Sequence, residues 1–151
     1  MDSKALSRDQ LAARGAALLA KQVERALTEI ELTLPQYRLL SLLEGGGASA
    51  TYAAERLAVS PPSITAIVDG LVTREMVRRR HVEGDRRRVE LQLTATGASA
   101  LRLADDAVSQ RLGQVAAHGD PATRPGDALD TLTWWLDAIR REFASRQGSP
   151  A

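Results

Sequence analysis

A mainly α-helical fold carrying one small β-hairpin is predicted for this chain by three observations. Apolar residues recur at three- and four-residue spacing through most of its length, the period at which side chains line one face of a helix. Aromatic residues make up only 3% of the 151 residues. The core must therefore come mainly from Leu, Ala, Val and Ile, a composition that favours helices. The exception to the helical period is residues 77–93, where two β-forming, arginine-rich stretches bracket a turn signal at Gly84.

From Gln10 to Glu31, Leu11, Leu18, Leu19, Val23, Ala26, Leu27 and Ile30 mark a long amphipathic helix. A second helix starts near Thr33, whose hydroxyl and Gln36 fit a reciprocal capping box, with Pro35 tolerated in the first turn. Leu39, Leu40, Leu42 and Leu43 form its buried side, and Gly45-Gly46-Gly47 ends it. A short third helix spans about Ser49 to Leu57. A fourth runs from Pro61 to about Arg74, with Ser60 as N-cap and only Ala58-Val59-Ser60 between the two. The hairpin strands are Val77 to Val82 and Arg88 to Leu93, joined through Glu83-Gly84-Asp85-Arg86-Arg87. Thr94 to about Ala117 is again helical, with Leu101, Ala104, Val108, Leu112 and Val115 on one side. Gly119-Asp120-Pro121 and Arg124-Pro125-Gly126 break it, and a last helix extends from Asp127 to about Ala144.

Composition excludes several classes of function. With no cysteine there is no disulfide framework, no thiolate zinc site and no sensing by thiol oxidation. His81 and His118 are the only histidines, and neither sits in a metal-binding or acid-base spacing. No phosphate-binding loop, dinucleotide fingerprint or nucleophile elbow occurs, so neither an enzyme nor a cofactor is expected. The first thirty residues lack a signal-type apolar stretch and no run is long enough to span a bilayer, so no membrane association and a cytoplasmic location are expected.

Net charge is only +1, but its distribution is uneven. Residues 77–88 hold six arginines against two acids, Glu83 and Asp85. Just before them lies a candidate helix-turn-helix: Ala54 is small enough for the helix crossing, Ala58 fits the tight turn, and Ile64, Ile67, Val68 and Leu71 form the buried stripe of the second helix. Its other side displays Pro62, Ser63, Thr65, Ala66 and Asp69, short enough to approach base edges in a major groove. A helical hairpin serving only as core is the competing reading of the two helices alone. An arginine ribbon directly behind them is suited to phosphates and the minor groove, and exceeds the charge needed to keep a sheet edge from pairing.

At these residues the sequence resembles the multiple antibiotic resistance regulator (MarR) family. The resemblance rests on Leu34-Pro35-Gln36-Tyr37 opening the second helix and on Ser60-Pro61-Pro62-Ser63-Ile64-Thr65 opening the fourth. It rests further on Gly84-Asp85-Arg86-Arg87 followed by Val89-Glu90-Leu91-Gln92-Leu93-Thr94 and then Gly97. It covers about residues 32–102. It implies a winged helix-turn-helix at residues 32–95, an N-terminal dimerisation helix at 1–31 and C-terminal dimerisation helices at 96–144, with residues 145–151 left as an unstructured tail.

The resemblance also implies a homodimer reading a pseudo-palindromic site on double-stranded DNA as a repressor, released by a small-molecule effector. Ser60, Pro62, Ser63, Thr65 and Ala66 fall where family members touch bases or adjacent phosphates. By position Arg87 enters the minor groove, Asp85 orients the wing by pairing with a nearby arginine, and Arg86 and Arg88 contact phosphates. Two residues depart from the pattern: Ala66 stands where many relatives have arginine, and Glu75 where they commonly have glycine. Glu is costly in a left-handed conformation, so a different end to the fourth helix is expected. The alternative function is a winged-helix module for protein contact without specific DNA binding.

Overall fold

The computed structural model describes residues 6–82, 85–120, 122, 126 and 128–147; at 85–87, 128–129, 140, 142–143 and 145–147 only the backbone is described. The elements are α1 (Arg8–Thr28), α2 (Leu34–Glu44), α3 (Ala50–Leu57), α4 (Pro61–Thr73), β1 (Val77–Val82), β2 (Asp85–Leu93), α5 (Ala95–Ala116) and α6 (Ala128–Gln147). The chain divides into two compact units, residues 1–112 and residues 113–151.

Helix starts follow the capping chemistry of the sequence. Ser7 with Gln10 and Thr33 with Gln36 form full capping boxes at α1 and α2, and Ser49 and Ser60 cap α3 and α4 through their hydroxyls. Helix α1 begins two residues earlier than its apolar period suggests because Ser7 supplies the cap. At its other end, α6 runs to Gln147, so the unstructured tail expected from Ser145 does not begin there.

The core of the first unit gathers Ala26 and Leu27 from α1, Leu39, Leu40 and Leu43 from α2, and Ala53, Ala54 and Leu57 from α3. Ile64, Val68 and Leu71 of α4, Val77 and Leu91 of the hairpin, Leu101, Ala104 and Val108 of α5, and Leu32, Ala48 and Met76 from the connections complete it. All are apolar, and no polar or charged residue is buried among the described residues. Of the α1 stripe, Leu11 and Leu18 stay exposed, at 55% and 66%. The amphipathic period continues past the point where the unit's own core can cover it.

Three helices end on a left-handed residue that is not glycine: Glu31 (φ 57°), Ala58 (φ 54°) and Glu75 (φ 56°). The hydrogen bonds repeat at each. After α1, Leu32 N–H reaches Leu27 O and Glu31 N–H reaches Thr28 O. After α3, Val59 N–H reaches Ala54 O and Ala58 N–H reaches Glu55 O. After α4, Met76 N–H reaches Leu71 O and Glu75 N–H reaches Val72 O. This is the paired closure of the Schellman motif, with an apolar residue following each time. The different end expected at Glu75 is therefore not seen: Glu adopts the left-handed conformation, held by two backbone hydrogen bonds and the burial of Met76. Ala58 is the exposed left-handed residue of the tight turn, as the sequence suggests, and Ala54 is buried with Ala53 on the inner side of α3.

The sheet is a two-stranded antiparallel ribbon pairing Val77 with Leu93, Arg79 with Leu91 and His81 with Val89. The register then shifts and Val82 pairs with Asp85, so Arg86, Arg87 and Arg88 have no cross-strand partner among the described residues. Strand β2 thus begins at Asp85, not at Arg88 as the sequence suggests, because a bulge absorbs the arginines within the strand. The turn expected at Gly84 lies outside the described residues. Beyond the ribbon, Ala48 pairs with Leu91 through Leu91 N–H to Ala48 O at 2.8 Å and the reciprocal bond at 3.1 Å. That pairing pins the loop after α2 against the hairpin.

Strand β2 passes directly into α5. The Thr94 hydroxyl donates to Glu75 O at 2.7 Å, with Met76 O at 3.1 Å, and accepts from Gly97 N–H at 3.0 Å. A Cβ at Gly97 would fall on the Met76 carbonyl and lie 2.8 Å from Leu93 Cδ1, so this close approach requires glycine.

Candidate nucleic-acid interface

The α3–α4 pair forms a helix-turn-helix because Val59 and Ser60, after the left-handed Ala58, are enough to redirect the chain into α4. Ser60 caps the new helix and Pro61 and Pro62 occupy its first turn, where a missing N–H costs nothing. Ile64, Val68 and Leu71 are buried and Ile67 is partly covered, so α4 is fixed in rotation about its own axis. Pro62, Ser63, Thr65, Ala66 and Asp69 are consequently all exposed, as the sequence pattern suggests.

Their hydroxyls are engaged locally. Ser60 Oγ and Ser63 Oγ lie 2.8 Å apart, and Ser60 Oγ also accepts from Ser63 N–H. Thr65 Oγ1 donates to the Pro61 carbonyl at 3.0 Å. With its proton so used, the Thr65 hydroxyl faces outward as an acceptor.

Strand alternation sorts the arginines of β1 onto two faces. Arg79 shares the face of the buried Val77 and Leu91, while Arg78 and Arg80 lie on the other with Gln92 and Glu90. Arg79 Nη2 meets Asp69 Oδ1 of α4 at 2.6 Å. Arg78 Nε and Nη2 both donate to Gln92 Oε1, at 3.2 and 3.0 Å, and Gln92 Nε2 donates to Glu90 Oε2 at 3.0 Å. Of the four arginines whose side chains are described, Arg78 and Arg79 are thus committed to contacts within the protein. Arg80 and Arg88 are exposed. The side chains of Asp85, Arg86 and Arg87 lie outside what the structure describes, so the pairing expected for Asp85 and the groove contact expected for Arg87 keep their status as expectations.

Sequence reasoning missed the Asp69–Arg79 pair and the Ala48–Leu91 bridge. Both join residues that no local pattern relates. A signal existed for the first: Asp69 is an acid on an otherwise neutral exposed face, ahead of a run of arginines.

Away from this face, Tyr37 of α2 is half-buried and donates its hydroxyl to Asp105 Oδ1 of α5 at 2.7 Å. Burial first, then this hydrogen bond and the nearby carboxylates of Asp105 and Glu44, push its pKa well above the ordinary tyrosine value. Among the described residues, no cluster of three or more His, Cys, Asp or Glu is placed to hold a metal ion, and no helix is long and apolar enough to cross a membrane.

Residues 30–88 match the profile of the MarR family. The HTH-type transcriptional regulator YpoP of Bacillus subtilis is 34% identical over 86 residues, 54% of this chain and 61% of that protein. The chain thus spans under two thirds of the length of the curated relative it matches.

Among solved structures, RV1404 of Mycobacterium tuberculosis superposes with a TM-score of 0.71 at 23% identity, covering 97% of this chain and 99% of its own. CouR of Rhodococcus jostii RHA1, bound to p-coumaroyl-CoA, superposes with a TM-score of 0.70 at 24% identity, covering 91% and 94%. A structure of CouR on a 23-mer DNA duplex gives the same TM-score and identity over 89% and 92%. Residues 30–88 are thus similar in sequence to the MarR family, and across nearly the whole length of these structures the chain shares one fold, a winged helix-turn-helix with long flanking helices.

Proposed function

We propose that the chain is a sequence-specific DNA-binding transcription regulator, a repressor that binds a pseudo-palindromic operator as a homodimer and is released by a small-molecule ligand. The observation that carries the reading is the exposed first half of α4, with Pro62, Ser63, Thr65 and Ala66 outward, beside a hairpin whose bulge holds Arg86, Arg87 and Arg88. Short side chains on a rotationally fixed helix suit a major groove, and arginines on a projecting ribbon suit phosphates and a narrow minor groove. Ser60, at the helix start, sets its hydroxyl beside that of Ser63, where the pair suits a flanking phosphate; Pro61 and Pro62 offer no N–H there. In the repressor CouR, a relative in fold, a complex with a 23-mer duplex has been solved, as has one with p-coumaroyl-CoA.

The same reading places the protein in the cytoplasm, gives it no catalytic role and assigns the dimer to the terminal helices. Leu11 and Leu18 of α1 are exposed, as are Leu132, Trp134, Trp135, Leu136 and Ile139 of α6. Trp134 and Trp135 stand edge-to-face with centroids 5.1 Å apart, and both are more than half exposed in the single chain. Apolar stripes of this size are ordinarily covered in the native assembly.

The test is duplex binding at two salt concentrations together with light scattering of the full chain. A steep loss of affinity with salt and a mass about twice 16.3 kDa are expected. A monomer at micromolar concentration, or affinity indifferent to salt, overturns the corresponding part of the reading. The second outcome would favour a module for protein contact.

A further inference from the structure

We infer that Asp69 and Arg79 form a positioning pair that sets the direction of the wing against the recognition helix, and that Arg79 is not one of the chain's DNA contacts. The inference rests on the DNA-binding reading and concerns how that surface is held. Asp69 lies about one helical turn after Thr65 and Ala66, so it shares their side of α4. A carboxylate there, left alone, would face the phosphates that flank a major groove and repel them. Its Oδ1 is instead 2.6 Å from Arg79 Nη2, a short charge-assisted contact.

The placement of Arg79 gives the pair leverage. Val77 is buried at the root of β1, so the hairpin is anchored where it leaves α4. Arg79 is two residues further out on the same face, opposite Leu91, which Ala48 holds from the loop after α2; the ion pair is the contact that ties β1 at this level to α4 itself. Both side chains are about half exposed, at 43% and 58%, and exposed ion pairs add little to folding stability. The pair's effect is therefore expected in the relative placement of two DNA-contacting elements and not in the melting temperature.

Charge counting and positioning predict opposite signs for one substitution. If the wing acts as a diffuse positive patch, Asp69→Ala removes a negative charge and frees a cation, so every duplex binds more tightly. If the pair positions the wing, Asp69→Ala weakens the preferred duplex and leaves a scrambled duplex nearly unchanged.

The experiment uses the full chain, a duplex that the wild-type protein selects from a random pool, and a scrambled control, each across a salt series. Asp69→Ala and Arg79→Ala are each expected to weaken the selected duplex by about three- to tenfold, and the double variant by no more than either single one. The salt slope of Arg79→Ala is expected to match wild type. Amide exchange from Arg78 to Val82, measured without DNA, is expected to accelerate in both single variants.

Tighter binding by Asp69→Ala, or a salt slope reduced by about one per subunit in Arg79→Ala, makes Arg79 a phosphate contact and overturns the positioning role. If the wild-type chain selects no duplex, the DNA-binding reading itself fails. In that event unchanged wing exchange in Asp69→Ala also removes the claim that the pair holds the hairpin, while accelerated exchange retains that part of it.

Discussion

Replacing Glu75 by glycine is expected to stabilise the protein, although no contact is gained. Glu75 sits at φ 56°, where the Cβ of an L-residue crowds the following carbonyl, at a cost of about 1–2 kcal/mol. Glycine avoids that crowding but loses more freedom on folding, which returns about 0.4–1 kcal/mol to the unfolded state. The net gain is about 0.5–1 kcal/mol. What makes the site clean is that its bonds are backbone bonds: Glu75 N–H to Val72 O, and Glu75 O accepting from Thr94. The carboxylate side chain is exposed, so nothing buried is lost.

Ala58 presents the same geometry at the end of α3 and should respond alike, and the double variant should gain about 1–2 kcal/mol if the sites act independently. In thermal unfolding of a chain this size, that is a rise of about 2–8 °C. Glu55→Gly, three residues before Ala58 but inside α3, is the control. Its residue is right-handed and helical, and the substitution should cost about 1 kcal/mol. If Glu75→Gly lowers the midpoint as Glu55→Gly does, the left-handed closure of α4 is not what holds that helix end.

Gly97→Ala should destabilise by about 1–3 kcal/mol in urea unfolding, because the new Cβ meets the Met76 carbonyl, which is backbone and cannot rotate away. Tyr37 holds its proton more tightly folded than unfolded, so its contribution is complete below pH ~10 and is lost as pH rises above that value; stability should fall there, and Tyr37→Phe should remove that part of the fall while costing about 0.5–1.5 kcal/mol at neutral pH. With its proton on Pro61 O, Thr65 is suited to accept from an exocyclic amino group of adenine or cytosine; Thr65→Ala should cost about 1–3 kcal/mol at one base position of the selected duplex, with the salt slope intact. Arg87→Ala should weaken selected and scrambled duplexes comparably and lower the salt slope by about one per subunit.

Periodicity and caps made the helices legible, because both are local: Thr33 with Gln36 and Ser60 with Pro61 announce α2 and α4 within four residues each. The outward face of α4 followed from the same period, since burying Ile64, Val68 and Leu71 leaves Pro62, Ser63, Thr65 and Ala66 no other direction. The helix ends were less legible. At Glu75 the intrinsic cost of the left-handed conformation argued for a different closure, but paired hydrogen bonds and the burial of Met76 outweighed it. Strand β2 was placed late because a bulge keeps Arg86 and Arg87 in the strand without partners among the described residues, and period-two patterning has no term for an inserted residue. The sorting of arginines was hidden for a different reason. Six cations look equivalent in a sequence, and only Asp69 reaching from α4 and Gln92 from across the hairpin distinguish Arg79 and Arg78 from Arg80 and Arg88.

The junction at Thr94 bears on how the first unit opens. One hydroxyl closes the end of α4 at Glu75 and starts α5 at Gly97, and the missing Cβ of Gly97 lets the two backbones touch. Both ends are anchored on the same side chain. The recognition helix and the first turn of α5 are therefore expected to exchange their amide protons as one cooperative unit, Leu71 through Met76 with Gly97 through Leu101, although more than twenty residues of chain separate Leu71 from Gly97.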